Sequence, residues 1–153
     1  MENKEFLREI DLFWSFSDEE LSRILDIIKT ETFPEGTVIL EEGKMGRSLY
    51  IIKEGAVKIR KSKGKRSKII AKLGQGSYFG EMSLIDENPI SASVVATSPT
   101  TCLILKKEDL NVLLNDLQFA NRLLWGFIKT LNGRLRKTSS TLSKKPSRKA
   151  HSK

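Results

Sequence analysis

The sequence predicts an α+β chain that is mainly β: a barrel or sandwich of short strands held between helices. Two observations carry this. Between Phe33 and Lys106, β-rich runs recur about every ten residues and are separated by turn signals. Before and after that stretch, the apolar residues follow the three-to-four spacing of amphipathic helices. At 153 residues, with 39% hydrophobic and 30% charged side chains, the chain has the size and composition of one soluble globular domain.

Ser17-Asp18-Glu19-Glu20 is a capping-box pattern, in which Ser17 caps first-turn amides and Glu20 reaches back. Leu21, Ile24, Leu25 and Ile28 then give one apolar stripe, so a helix is expected over 18–29. Phe13, Trp14 and Phe16 are expected to staple its start by packing. The strand candidates are Thr37–Leu40, Leu49–Ile52, Ala56–Ile59, Ile69–Leu73, Ser93–Ala96 and Thr101–Leu105. Turns fall at Pro34-Glu35-Gly36, Gly43 to Gly46, Glu54-Gly55, Gly64, Gly74 to Gly76 and Ser98-Pro99. Phe79 to Ile85 lacks strand alternation and is expected to form one or two helical turns.

After Leu105 the helical period returns, with a short helix over 107–115 and a longer one from Gln118 to about Leu142. Leu124, Ile128, Leu131, Leu135, Thr138 and Leu142 follow 4-3-4-3-4 spacing, the seam of a coiled-coil dimer. The alternative is an amphipathic helix lying on its own barrel, and each can hold along a different stretch. Gly133 weakens the helix by roughly 1 kcal/mol relative to alanine. The domain is expected to span residues 1–142, followed by a disordered basic tail over 143–153 that has almost nothing to bury.

No apolar run reaches the length of a membrane span, and the first residues lack the basic and apolar regions of a signal peptide. A single cysteine, Cys102, excludes a disulfide framework, and with one histidine it argues against a metal site. These features point to a reducing, cytoplasmic setting. No pairing of carboxylates, nucleophile with base, or metal ligands suggests catalysis, so a non-enzymatic role is expected. His151 lies in the tail, and Cys102 reads as a core thiol.

The net charge of +8 is unevenly placed. All 19 acidic residues precede position 117, whereas residues 134–153 hold eight lysines or arginines. A second basic run, Lys58 to Lys68, has seven cations in eleven residues and reads as a hairpin tip turning at Gly64. Both runs suit a solvated surface; the alternative is a non-specific attraction to nucleic acid or anionic lipid.

The chemistry-bearing segment is Gly74-Gln75-Gly76-Ser77-Tyr78-Phe79-Gly80-Glu81-Met82-Ser83-Leu84, continued by Asn88-Pro89-Ile90-Ser91-Ala92-Ser93-Val94. A glycine opening a short helix bares amides to a negative group, and the helix dipole adds to that field. Glu81 can accept hydrogen bonds from a hydroxyl pair such as a ribose edge, while Ser91 and the Ala92 amide can close an anion site. The alternative is a turn that only joins two strands.

Pro34-Glu35-Gly36, Glu42-Gly43, Ser48 to Ile52, Gly55-Ala56-Val57, Leu73 to Gly76, Phe79-Gly80-Glu81 and Ala92-Ser93-Val94 occur in this order. The order resembles the cyclic nucleotide-binding domain family, as found in catabolite-activator-type regulators and cAMP-dependent kinase regulatory subunits. The resemblance covers about residues 6–137. It implies an eight-stranded β-roll of jelly-roll type, a double-stranded β-helix, with flanking helices. It also implies that Phe79 to Val94 is a phosphate-binding cassette for cAMP or cGMP. On that carry-over Glu81 takes the ribose 2′-hydroxyl. The Gly80 and Met82 region, the Ser91 hydroxyl and the Ala92 amide face the cyclic phosphate, and Thr138-Ser139 meets the purine. The catabolite-activator branch would add a helix-turn-helix, for which about fifteen polar residues leave no room. A homodimer and an unidentified protein effector are the expected partners.

One position departs from the pattern. The cassette arginine, a planar fork that binds phosphate with two charge-assisted bonds, is Ile90 here. Losing one such bond costs about 1.5–3 kcal/mol, or a ten- to more than hundred-fold loss of affinity. An isoleucine edge adds a desolvation cost. Lys72 and Arg47 are candidates to replace the charge. Two readings remain: weakened cyclic-nucleotide binding, or a degenerate pocket kept as a protein-interaction module.

Overall fold

Side-chain alternation along two central strands divides the molecule into two cores, and everything else is arranged around that division. The computed structural model describes residues 2–82 and 86–151, with side chains through residue 137. In chain order come α1 (Asn3–Arg8), a 3-10 turn (Asp11–Phe13), α2 (Asp18–Ile27), β1 (Lys29–Phe33), β2 (Val38–Leu40), β3 (Ser48–Glu54), β4 (Val57–Lys63) and β5 (Arg66–Leu73). Then follow β6 (Tyr78–Phe79), β7 (Ser93–Ala96), β8 (Thr100–Lys106), α3 (Lys107–Leu113) and α4 (Leu117–His151).

Among the described residues the strands form two four-stranded antiparallel sheets, ordered β1-β8-β3-β6 and β2-β7-β4-β5. This is the mainly β, helix-flanked β-roll that the sequence predicts. Leu49 and Ile51 of β3 and Leu103 and Leu105 of β8 face the helices, where they pack with Phe6, Leu7, Leu12, Phe13, Leu21, Ile24, Leu110, Phe119 and Leu123. The alternate residues, Ile52 of β3 and Cys102 and Ile104 of β8, face the other sheet and meet Val57 and Val94. The two residues of β6 split the same way: Tyr78 joins the helical core and Phe79 the inter-sheet core. Burial removes Cys102 from water completely and pushes its thiol up to about 12, as expected of a core sulfur.

Each of the six strand candidates falls on a strand, with Thr37 and Ala56 just outside the starts of β2 and β4, but two strands escaped the sequence. In β1, Lys-Thr-Glu-Thr-Phe is exposed on both faces over its first four residues and so shows no apolar alternation. The β6 strand is only two residues long, and Phe79 therefore belongs to a strand rather than to the helical insertion expected over 79–85. Within that insertion, the Asp86 amide donates to the Met82 carbonyl at 3.1 Å, while Ser83 to Ile85 lie outside the described residues. The hairpin of β4 and β5 turns at Gly64, with Lys63 opposite Arg66.

The capping box at Ser17 is present: the Glu20 amide donates to Ser17 Oγ at 3.2 Å, and the Ser17 amide donates to Glu20 Oε1 at 2.9 Å. Glu20 is buried, and its carboxylate also meets Arg122 of α4 at 3.2 Å, so the cap doubles as an inter-helix tie. Phe13 and Phe16 stack edge-on behind it, and Phe16 edges onto Phe119. Trp14, by contrast, is 53% exposed with Lys129 over its ring, so it does not staple the helix as the sequence suggested.

The long helix carries two faces. Phe119 and Leu123 are buried in the helical core and Phe127 packs against it. Leu124, Ile128, Leu131 and Leu135, four of the seam residues, are exposed. The helix extends to His151, past the boundary at 142 drawn from composition; the tail's side chains lie outside the described residues. Docking of the inner face depends on Gly126. A Cβ there would lie 1.8 Å from the Leu12 carbonyl oxygen and 2.7 Å from its carbon, which is backbone that cannot rotate away. At Gly133 nothing lies within 4 Å of the same added atom. Gly126→Ala is therefore expected to destabilise the chain by about 1–3 kcal/mol through overpacking. Gly133→Ala is expected to stabilise it by up to roughly 1 kcal/mol, through helix propensity alone. Thermal unfolding of the two variants should move the midpoint in opposite directions.

Candidate functional site

A cavity of about 410 Å³ opens between the second sheet, the segment after β6 and the inner face of α4. Its floor is apolar, from Leu40 of β2, Ile59 of β4, Ala71 and Leu73 of β5 and Val94 of β7. One wall is Tyr78, Phe79, Gly80, Glu81 and Met82; another is Ile90, Ser91 and Ala92; Arg134 and Lys137 of α4 complete the lining. Seven residues singled out in the sequence thus meet around one space: Phe79, Gly80, Glu81, Met82, Ile90, Ser91 and Ala92. The Thr138 and Ser139 side chains lie outside the described residues.

Backbone constraints place the first wall. Phe79 stacks flat on Tyr50, centroids 5.0 Å apart and planes 3° from parallel, which fixes where the chain leaves β6. Gly80 then turns with φ +87°, a conformation that favours glycine. Any Cβ there would sit 2.6 Å from the Ser48 carbonyl oxygen. This turn sets Glu81 at the cavity with its side chain about three-quarters removed from water, as its 25% exposure shows.

The second wall is fixed by the loop after β2. The Gly43 amide donates to the Ile90 carbonyl and the Ile90 amide donates to the Lys44 carbonyl, both at 2.8 Å. The Glu42 amide donates to Ser93 Oγ at 2.9 Å, and Lys61 donates to the Ser91 carbonyl at 2.5 Å. Ile90 is therefore held through its own amide and carbonyl and Ser91 by the Lys61 side chain, contacts that do not depend on the side chain at position 90.

Of the two cations suggested as replacements for the cassette arginine, neither lines this cavity. Arg47 lies on a separate polar cavity with Met45, Ser48, Lys106 and Asn111, and Lys72 lines neither. The cations that do line it, Arg134 and Lys137, were missed. Helix phasing could have found Arg134, which stands one turn before Thr138 on the same face. Its Nη1 lies 3.9 Å from Glu81 Oε1, and its guanidinium sits 5.3 Å over the Tyr78 ring. Phe127 meets that ring edge-on at 5.6 Å. Burial holds the Tyr78 hydroxyl above the ordinary tyrosine range, with Thr130 and Arg134 acting in the opposite direction.

Comparison with known proteins identifies the family. The family model described as "Cyclic nucleotide-binding domain" matches residues 30–116, and the chain belongs to that family. It is 30% identical over 134 residues to cGMP-dependent protein kinase 2 of Mus musculus, covering 86% of this chain and 18% of the kinase. It is 37% identical over 107 residues to the cyclic AMP receptor protein of Thermus thermophilus, covering 69% of this chain and 50% of the receptor. A solved cyclic nucleotide-binding domain from Methylobacillus flagellatus superposes with a TM-score of 0.78 at 34% identity, covering 92% of this chain and 80% of that one. The chain thus spans 18% of the length of the kinase and 50% of that of the receptor. Among the described residues no helix is long and apolar enough to cross a membrane.

Proposed function

We propose that the cavity binds a cyclic nucleotide, cAMP or cGMP, and that the chain is a non-catalytic regulatory module that relays occupancy through α4. The observation that supports this best is the meeting of Phe79 to Met82 with Ile90 to Ala92 around one cavity of about 410 Å³. That volume falls in the range of small-molecule sites, and its mixture of apolar floor and few polar groups is typical of them. In this reading the base lies over Leu40, Ile59 and Leu73, Glu81 accepts from the ribose 2′-hydroxyl, and Ser91 with the Ala92 amide turns to the cyclic phosphate. Because α4 forms one side of the cavity, a ligand contacts the roll and the helix together, and that is the route to an effector.

Calorimetric titration of cAMP and cGMP into the native chain is expected to show binding that Glu81→Ala weakens about ten-fold or more, the scale of a hydrogen bond to a charged group. Binding that Glu81→Ala leaves unchanged would overturn this pose. An absence of binding, with affinity gained on Ile90→Arg, would instead support a disabled pocket kept for protein interaction.

The outer face of α4 carries a second part of the proposal. Leu124, Ile128, Leu131 and Leu135 are each between 43% and 58% exposed and keep the 4-3-4 spacing of a coiled-coil seam, which fits a parallel homodimer. Sedimentation equilibrium is expected to give a dimer that Leu131→Glu converts to monomer. A monomer at high micromolar concentration of the native chain would remove the dimer.

A further inference from the structure

The positive charge of the cavity stands on the long helix and not on the cassette. Ile90 occupies the position where the cassette pattern has arginine, its backbone is fixed by Gly43 and Lys44, and it lines the cavity as an apolar residue. Lys61, the cation tied to the Ser91 carbonyl, is outside the lining. Among the described residues the lysines and arginines that line the cavity are Arg134 and Lys137. Three positions apart in α4, they share a helix face. Arg134 is steadied by Glu81 at 3.9 Å and by the Tyr78 ring. Among the described residues the lining holds these two cations and one carboxylate, Glu81, a charge pattern that suits an anionic phosphodiester.

We propose that Arg134 and Lys137 together supply the counter-charge for the ligand's anionic group, moving anion recognition from the cassette to α4. The proposal rests on the cyclic-nucleotide reading of the cavity and adds to it. A cassette arginine would neutralise phosphate within the roll, whatever the position of the helix. With the cations on α4, the anion is neutralised only while the helix lies over the cavity, so affinity and helix position depend on the same two side chains. Arg134 also bridges towards Glu81, so the carboxylate assigned to the sugar and the cation assigned to the anion are set by one contact.

The test is titration of cAMP and cGMP into the full chain, into Arg134→Gln/Lys137→Gln, and into each of these carrying Ile90→Arg. Lys137→Gln alone, at an exposed position, guards against a folding defect. The expected result is a loss of about ten-fold or more in the double variant, and a smaller loss with Lys137→Gln. Ile90→Arg should recover most of that loss, because it returns a cation to the same anion. Affinity of the native chain should also fall more steeply with salt than that of the double variant. If the native chain binds and the double variant binds equally well, or if Ile90→Arg does not relieve the loss, the inference is overturned while the cyclic-nucleotide reading stands. A native chain that binds only after Ile90→Arg also overturns it, since the helix cations would then be insufficient. Absence of binding with and without Ile90→Arg overturns the underlying reading.

Discussion

The approach of α4 to the Leu12 backbone at Gly126 is the contact on which the rest of the site depends. Any side chain at that position would meet a carbonyl group. Without one, the helix lies close enough to bury Phe119 and Leu123 in the helical core and to reach Glu20 through Arg122. Two turns further on, the same helix axis brings Arg134 to Glu81 and over Tyr78. A helix held a few ångströms farther out would leave the cavity without one wall and without its cations.

The roll contributes the other walls through ring packing and backbone geometry. Tyr50 and Phe79 stack, Gly80 turns where only glycine fits against Ser48, and Ile90 exchanges two hydrogen bonds with the loop at Gly43 and Lys44. This explains how position 90 tolerates isoleucine. At Ile90 the anchors are its own amide and carbonyl, so an apolar side chain there leaves the support of the loop in place. The cavity therefore carries isoleucine at position 90 and is still lined by Glu81, Ser91 and Ala92.

Much of this was legible in the sequence because the fold declares itself through period and punctuation. The strand runs of β3 and β8 alternate between two apolar cores, and the turns between strands carry glycine. The first residues of the cassette were recognisable by type and order. The failures have physical causes. An edge strand such as β1, solvated on both faces, has no apolar alternation to read, and a two-residue strand such as β6 is set by its partner β3 rather than by its own propensity. Trp14 is aromatic beside two buried phenylalanines yet lies on the outside under Lys129, which composition cannot distinguish. Gly126 carried no signal in the sequence, since only the tertiary contact with Leu12 gives it a purpose. Arg134 and Lys137 were counted only within the basic stretch 134–153, because charge is counted along the chain, whereas their place at the cavity depends on which face of the helix meets it.

The claim at the centre of this account is that ligand, cassette and α4 form one unit. Hydrogen exchange of the full chain with and without saturating cAMP or cGMP tests it most directly. The expected result is slower exchange on ligand binding both at residues 80–82 and 90–92 and along residues 126–137 of the helix. Slower exchange confined to the cassette, with 126–137 unchanged, would contradict the account, because the helix would then be neither a wall of the site nor the carrier of its charge.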